Sequence, residues 1–483
     1  MKKQHWLKIF HYASKRLWLL LIPLMRSLLL LRVPISEWIR GAWVDLSIIF
    51  FILGTAILRW YMTRYKIEDN CIVYNTGIIV RRHIKIPYTN LCSVYTVRNF
   101  FLRPIRVVTV HLDTNSGPAS NSDFSIMVKK SENDLLLEKI YSKNKSAVKI
   151  HTSYKPSKFN LIFFSFAFSS TLSGAIFIST LIFESGQIVG ESLEQRLIYT
   201  FDEITRKISL GLPPIAVGIS LFIICAWLIS FIRNLARYIK FRISRNGDSI
   251  KIHNGFFTKR HYYINVPKIN YVNLRQNLLM KVFKVMSVQV SCSGYGKAKN
   301  ELPVIIPITT KKQVISSLKL LLPSMKIASG GIKSSKVNFF KFIWLPVILL
   351  AVDGISVLVL VHFFHFWREI IIFLGIMIAI VSTWLLIVKL NALFTTGISY
   401  EKDNFTLRYS VLFNFHTILV PKDKIVKVKI TQSIFQKCTK SCDVRIYTTN
   451  EFIKPHWIMA LNLQETLDLM KSSGFSNECS SLD

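Results

Sequence analysis

Long apolar runs alternate along this chain with shorter segments in which apolar and polar residues take turns. Six runs approach the roughly 20 residues that a helix needs to cross the hydrocarbon core of a bilayer. They fall into three pairs: 17–33 and 42–60, 159–183 and 212–232, and 339–363 and 367–388. The pattern predicts six transmembrane helices arranged as three hairpins.

The segments that follow the second, fourth and sixth runs repeat one another. Residues 74–86 align without gaps on residues 252–264 at an offset of 178, sharing a glycine and an Arg-His pair. A more diverged copy lies at an offset of 334 from the first, with Val411 where the others have Gly77 and Gly255. Such self-similarity indicates one domain that occurs three times.

Each copy combines strand and helix patterns. Apolar positions alternate, as at Val108, Val110 and Leu112, and many are β-branched, which is typical of half-buried strands. A capping residue followed by an apolar stripe at three-to-four spacing ends each copy, most clearly at Thr310 with Gln313. We therefore predict six or seven strands and one closing helix in each copy.

The charge of the chain indicates its orientation. Of 483 residues, 51% are hydrophobic, and Lys and Arg outnumber Asp and Glu by 62 to 27, which gives a formal charge of +35. Basic residues gather before the first run and after the second and fourth, whereas the loop between the third and fourth runs is acidic. The positive-inside rule then places both termini and all three copies in the cytoplasm. The apolar runs favour an anionic membrane leaflet over nucleic acid as the partner of this charge.

Helix pairs followed by such a domain resemble a known family. The motifs are a hairpin glycine, a basic pair, an Ile-Pro stretch before spaced apolar residues, and an Asn before two bulky apolar residues. The first two copies carry them at Gly77, Arg81, Arg82, Ile86, Pro87, Leu91, Val94, Asn99, Gly255, Lys259, Arg260, Ile264, Ile269 and Asn277. The third matches at Val420, Pro421, Ile425, Val428, Gln432 and Ser433 but lacks the glycine and the basic pair. In the second copy Asn265 replaces the proline. The chain is similar to bacterial membrane proteins with pleckstrin-homology (PH)-like domains of the YdbS/YdbT type, in the three-copy YdbT layout.

The resemblance implies a polytopic α-helical membrane protein with three cytoplasmic PH-like α+β domains, each an antiparallel barrel or sandwich with a closing helix. It brings no established enzymatic reaction with it. The expected parts are an N-terminal tail with the first helix pair at 1–60, PH-like domains at 61–145, 236–323 and 391–474, further helix pairs at 155–235 and 336–390, and a C-terminal tail at 475–483.

Two basic pairs are the first candidates for binding. Arg81-Arg82 and Lys259-Arg260 follow the hairpin glycine in a domain that is tethered to the bilayer. This position suits contact with anionic headgroups or with an acidic protein surface. The alternative is a solvated strand end that merely satisfies the positive-inside rule.

Asn99 and Asn277 form a second pair of candidates, because each precedes two bulky apolar residues and could belong to a patch that contacts lipid. An Asn in this position is more often a capping or turn residue that leads into the core, and we favour that interpretation.

Charged residues also fall inside predicted membrane helices. Arg26 interrupts the first run, where its side chain either reaches the interface or faces a partner helix. Asp353 lies deep in the fifth helix, and a carboxylate there is costly unless it is paired. Asp353 is therefore the one residue that favours a transport function. Against that function, transporters with sites at the membrane midplane usually show more polar and helix-breaking residues across several segments.

Enzyme and metal motifs are absent from the sequence. It contains no Gly-x-x-x-x-Gly-Lys-Ser/Thr loop, no Gly-x-Ser-x-Gly elbow and no His-Glu-x-x-His motif. The seven cysteines are scattered singly, without a His cluster at metal-ligand spacing. We expect no catalytic residues, no metal and no cofactor.

These observations predict a non-enzymatic, multi-pass protein of the cell (plasma) membrane. Its cytoplasmic PH-like domains would act as a lipid- or protein-binding platform. The resemblance suggests envelope stress defence as the process that this platform serves. A smaller membrane protein of the same family is the expected protein partner. The competing hypothesis is a component of a transport or export system that uses the membrane helices, with Asp353 at its centre.

Overall fold

The computed structural model describes residues 1–14, 35–114, 124–142, 151–169, 175, 178, 191–208, 214–292, 304–328, 330–449 and 455–475. The first predicted membrane helix, with Arg26, lies outside the described residues, and so does part of the third.

Every repeat contributes seven strands. The first contains β1 (Lys2–Lys3), β2 (Arg64–Ile67), β3 (Cys71–Thr76), β4 (Arg82–Pro87), β5 (Leu91–Arg98), β6 (Val107–Thr114) and β7 (Phe124–Lys129). The second contains β8 (His151–Tyr154), β9 (Arg242–Asn246), β10 (Ser249–Asn254), β11 (Lys259–Asn265), β12 (Ile269–Asn277), β13 (Val285–Cys292) and β14 (Val304–Thr310). The third contains β15 (Ile332–Lys333), β16 (Gly397–Glu401), β17 (Asn404–Val411), β18 (Asn414–Pro421), β19 (Ile425–Thr431), β20 (Ser441–Thr448) and β21 (His456–Asn462).

The helices in the described part of the chain are α1 (Lys8–Ser14), α2 (Ile35–Met62), α3 (Lys130–Ser142), α4 (Lys158–Ala167), α5 (Glu191–Ile208), α6 (Pro214–Tyr238), α7 (Leu278–Val282), α8 (Lys311–Leu321), α9 (Phe340–Phe363), α10 (Arg368–Thr395), α11 (Ile434–Cys438) and α12 (Leu463–Ser472). Helices α3, α8 and α12 close the three repeats. Thr310 and Gln313 form the predicted capping box at the start of α8.

In each repeat the first four strands form one antiparallel sheet and the last three form another. The predicted alternation is visible in β10, where buried Ile250 and Ile252 alternate with half-buried Lys251 and His253. The closing helix packs into the same core, as Leu136 of α3 does in the first repeat. Sheet pairs with one helix are therefore the unit that the sequence repeats.

Strand registers confirm the equivalence of the three copies. Val94 lies opposite Leu112, and the positions 178 residues later and 334 residues later are paired in the same way. The gapless alignment of the third copy is wrong by one residue in the first sheet. There Phe405 lies opposite Val420, because the β17–β18 hairpin closes in a two-residue turn after Val411. Leu412 adopts a φ of 48° in that turn, where the other copies use longer loops and a glycine.

The segments that contain the predicted helix pairs are inserted into the domains rather than placed before them. The first strand of each repeat precedes the helix pair and is paired with the strand that follows it: β1 with β2, β8 with β9 and β15 with β16. The second and third domains thus begin upstream of 236 and 391, where the sequence placed their boundaries. Both ends of each helix pair consequently emerge on neighbouring strands.

Three described helices are long and apolar enough to cross a membrane: Ile215–Tyr238, Lys336–Phe363 and His365–Thr395. Shorter apolar stretches, Ser47–Met62 and Lys158–Ala167, coincide with the second and third predicted helices. Helices α9 and α10 form a close hairpin in which a Cβ on Gly375 would lie 2.3 Å from Cγ2 of Val357. The acidic segment before α6, predicted as a loop, contains α5, whose Thr205 lies against Gly218 of α6.

A buried ion pair fastens the third domain to its helix hairpin. Lys341, in the first turn of α9, donates to the Asp443 carboxylate at 2.6 Å. That carboxylate is 6% exposed and also accepts hydrogen bonds from Gln436 Nε2, the Ala460 backbone N–H and Trp457 Nε1. Because charged hydrogen bonds surround it on several sides, Asp443 fixes β20 against the base of the hairpin.

Replacing Lys341 with Met should destabilise the third domain by about 3 kcal/mol, because Asp443 would remain buried without a counter-ion. The measurement is the urea midpoint of the full chain purified in detergent. Lys424→Met is the control, since its partner Asp423 is 70% exposed and the pair is 3.5 Å long. We expect the control to change stability by less than about 0.5 kcal/mol, and equal effects of the two substitutions would contradict the role of Asp443.

Candidate functional site

The three domains are joined edge to edge through their backbones. Strand β11 of the second domain pairs antiparallel with β5 of the first, and β18 of the third pairs with β12 of the second. Each junction produces a continuous seven-stranded sheet. At the first junction Tyr95 and Tyr262 stack with ring centroids 5.6 Å apart. The candidate binding residues must therefore be placed on a tandem of joined domains.

The two basic pairs have different surroundings in this tandem. Arg81 and Arg82 are exposed at the outer edge of the first domain, in the loop before β4 and at its first residue. Lys259 and Arg260 are half-buried in β11, opposite Arg98 and Val97 of the first domain. Of the predicted pairs, only the first remains accessible.

The two asparagines begin short helical turns. Asn277 accepts a hydrogen bond from the Met280 backbone N–H at 2.8 Å and donates to the Ala167 carbonyl at 2.7 Å. It caps α7 and holds the end of α4, which is the capping role that we favour from the sequence. Asn99 precedes the 3₁₀ turn Phe100–Leu102, to which its side chain makes no capping hydrogen bond.

The hairpin between β10 and β11 touches the end of a membrane helix. The backbone N–H groups of Gly255 and Phe256 donate to the carbonyls of Ile239 and Ala236, just past and within the last turn of α6. The rings of Phe256 and Phe257 are exposed beside it. Exposed aromatic rings at the end of an apolar helix are typical of a membrane interface.

A cavity of about 720 Å³ opens between the second and third domains. Its wall includes apolar Leu274, Ile315 and Phe415, and it reaches Thr395, the last residue of α10. Cationic side chains from α7, α8, the following linker and β17 also line it: Lys281, Lys311, Lys319, Lys326 and Arg408. With Glu401 as the acidic residue in this lining, the cavity combines positive charge with an apolar wall.

The cations of the cavity are incompletely paired. The Lys281 ammonium lies 4.0 Å from the Phe415 ring centroid and finds no hydrogen-bond acceptor among the described residues. Burial lowers the pKa of Lys281, and it also lowers the pKa of Arg408. Arg408 donates to the carbonyls of Ala328 and Gly330 at 3.0 and 3.3 Å. An anion in this cavity would supply the acceptor that Lys281 lacks.

The sequence gives no local motif for this cavity. Its cations are spread from Lys281 to Arg408 and belong to two repeats. They come together only because β18 pairs with β12. The one signal in the sequence is the overall excess of Lys and Arg.

Both junctions contain histidines that are held neutral. His261 of β11 lies 3.2 Å from His253, and burial, followed by the charges of His253 and Lys259, lowers its pKa to about 4. Nδ1 of His416 in β18 donates to Oδ1 of Asn273 at 3.2 Å. Burial, followed by the charge of Arg275, lowers the pKa of His416 to about 3.

Asp353 lies within α9 and is partly exposed. In the described part of the chain no hydrogen bond or ion pair connects it to another residue. The transport hypothesis, with Asp353 at its centre, therefore stays a prediction.

Joined strand-rich repeats that carry apolar helix pairs define a class, membrane proteins with tandem PH-like domains. Residues 19–143, 207–319 and 341–472 match the bacterial PH domain family, and the chain belongs to that family. It is also similar to the UPF0699 transmembrane protein YdbT of Bacillus subtilis (strain 168). The two are 20% identical over 434 residues, which cover 85% of this chain and 84% of that protein. The predicted three-copy, YdbT-like resemblance is confirmed.

Acidification should loosen the junctions. Because the pKa of His261 and of His416 lies below the ordinary 6.5 in the folded chain, the unfolded chain binds more protons between about pH 3 and 6.5. Stability from the neutral rings is complete above pH 6.5 and is lost as the pH falls. We expect the free energy of unfolding to drop by a few kcal/mol, on the order of 1.4 per pKa unit, between pH 7 and 4.

The pH dependence is measured as urea midpoints of the purified full chain. His416→Gln, which does not titrate and can still bond to Asn273, should flatten the slope. His83→Gln, at an exposed position of β4, is the matched control and should leave it unchanged. Parallel slopes for wild type and His416→Gln would refute this account.

Proposed function

We propose that this chain is a non-enzymatic, multi-pass platform of the cell membrane, whose PH-like domains bind anionic phospholipid headgroups at the cytoplasmic face. The basic cavity between the second and third domains carries the proposal. Its cations suit a phosphate group, and its apolar wall suits the glycerol backbone and the first methylenes of the acyl chains.

The place of the cavity favours lipid over a soluble anion. Thr395 lines the cavity and ends α10, one of the helices long enough to cross the membrane. A headgroup at this depth remains attached to its leaflet, whose negative potential also attracts the basic domains.

The proposed topology has six membrane helices in three pairs, with both termini in the cytoplasm. Pairing of β8 with β9 and of β15 with β16 supports it. A segment that begins and ends on neighbouring strands of one sheet must return to the side of the membrane from which it started. It therefore crosses an even number of times.

Protein partners belong to the same proposal. The exposed Arg81-Arg82 edge is open to an acidic surface, and a smaller membrane protein of the same family is our candidate partner. Envelope stress defence is the physiological setting that we propose, and it rests on the family resemblance.

Removing two cavity lysines should weaken binding of anionic lipid. We expect the purified full chain to retain phosphatidylglycerol but not phosphatidylcholine in native mass spectrometry. In the Lys311→Ala, Lys319→Ala double variant, affinity for phosphatidylglycerol should fall about thirtyfold, since each of the two lost charged contacts contributes about 1 kcal/mol.

The matched control for that experiment is the Lys312→Ala, Lys471→Ala double variant. It removes the same charge at exposed positions, one of them next to Lys311 on α8, outside the cavity lining. Its affinity should stay within about twofold of wild type. Equal losses in the two double variants would mean that net charge alone attracts the lipid.

The topology is tested by cysteine labelling in intact cells, in a background with Cys438→Ser and Cys479→Ser. Phe366→Cys, in the turn between α9 and α10, should react with a membrane-impermeant maleimide from outside. Lys471→Cys, on α12, should react only after the membrane is permeabilised. Labelling of Lys471→Cys in intact cells would overturn the orientation.

A further inference from the structure

The two junctions between domains use one and the same register. At the first, Tyr263 of β11 lies opposite Val94 of β5. At the second, Leu419 of β18 lies opposite Val272 of β12. Val94 and Val272 are equivalent positions of the first and second copies, at the offset of 178. Tyr263 and Leu419 are equivalent positions of the second and third copies, because both correspond to position 85 of the first. The junction is therefore a repeated, directional interface between the β5-type strand of one domain and the β4-type strand of the next.

A cation at one position of the repeat completes each junction. Arg103 of the first domain donates to the carbonyls of Phe256 and Phe257 in the hairpin of the second. Lys281, at the same repeat position in the second domain, lies over the ring of Phe415 in the hairpin of the third. Lys437 is the equivalent residue of the third domain, and it is exposed on α11.

In a line of three domains, the β4-type strand of the first domain and the β5-type strand of the third have no neighbouring domain to pair with. In the described part of the chain β4 is the last strand of its sheet, and so is β19. The pattern of exposure agrees, because five of the six residues of β4 are exposed whereas its counterparts β11 and β18 are half-buried or buried. Strand β19 is likewise more exposed than β5 and β12, whose outer edges are covered by the next domain.

Apolar side chains surround both open edges. Ile79 and Val80, in the hairpin before β4, are 95% and 68% exposed. Ile434 and Phe435, which follow β19, are 81% and 86% exposed. At the existing junctions these same regions of the repeat lie where consecutive domains meet. Open backbone edges flanked by apolar residues are typical sites of strand addition.

We propose that β19 of one chain pairs with β4 of a second copy of this chain, head to tail, in the register of the two internal junctions. Continuing that register places Val428 opposite Lys85, Lys429 opposite Ile84 and Lys427 opposite Ile86. Lys437 then lies beside the hairpin tip of the second copy. The interface is heterologous, so that successive chains form a ring or a line in the plane of the membrane.

The charges on the two edges select this register. Lysines on an open edge commonly prevent unspecific pairing, and β19 carries Lys427 and Lys429 while β4 carries Lys85. In the proposed register each of these cations faces an apolar residue. A slip by one residue places Lys85 opposite Lys427 or Lys429, which like-charge repulsion disfavours. Pairing between two copies of this chain thus satisfies the backbone hydrogen-bonding groups of both edges and keeps their like charges apart.

Disulfide cross-linking of the full chain in proteoliposomes tests the proposal, in a background with Cys438→Ser and Cys479→Ser. Chains with only Ile84→Cys are mixed with chains that carry only Lys429→Cys, because these positions lie opposite each other. We expect the mixture to yield at least about ten times more covalent dimer than either chain alone, as a strand pair places the two Cβ atoms about 5 Å apart. A chain that carries both substitutions should give a ladder of trimers and larger species, since a head-to-tail contact continues.

The controls separate this contact from other encounters. Lys471→Cys is exposed on α12 and lies outside both edge strands, and mixed with Ile84→Cys it should give only the background of random collisions. Thermal melting of each variant confirms that it is folded. A yield in the Ile84→Cys and Lys429→Cys mixture no higher than this background overturns the proposal. So does a ladder that stops at dimers, or cross-linking in native membranes to a different protein in place of a second copy. The result does not depend on lipid binding at the cavity.

Discussion

Antiparallel backbone pairing between neighbouring domains is the interaction on which the rest of this structure depends. Where β11 meets β5 and where β18 meets β12, the peptide groups of one domain satisfy those of the next. The pairing fixes the relative orientation of the domains and buries histidines at both seams. It also brings cations from two repeats around one cavity. Without it the same residues would be dispersed over three separate surfaces.

Much of the fold follows from the alternation of apolar positions. Val108, Val110 and Leu112 indicate a strand with one buried face, and the structure places them in β6 as expected. The repeat offset carries over to the pairing of β5 with β6, of β12 with β13 and of β19 with β20, because the chain length between these two strands is the same in all three copies. In the first sheet it fails at Leu412, where a tight turn replaces a glycine loop. A single residue removed from a hairpin is hard to detect when the sequences have diverged this far.

Other features could not be predicted because the backbone, and not the side chains, determines them. Strand β8 has four residues, too few for an alternating pattern, and it lies a whole helix pair away from its partner. Pairing between domains is similarly tolerant of sequence: Tyr95 meets Tyr262 at one junction, while Asn273 meets Ile418 at the other. In the sequence Asp443 resembles any other strand residue, and its ion pair with Lys341 of the helix hairpin becomes evident only in the structure.

The insertion of each helix pair between two neighbouring strands also sets the order in which the chain can fold. Strand β8 is synthesised long before β9, and β15 before β16, so that β8 and β15 lack these partners until the whole intervening segment has been made. Closing such a long loop early would cost entropy with little compensation. In the third repeat the sheet is therefore completed only after both α9 and α10 have been made. A domain of this kind cannot mature ahead of its membrane anchor.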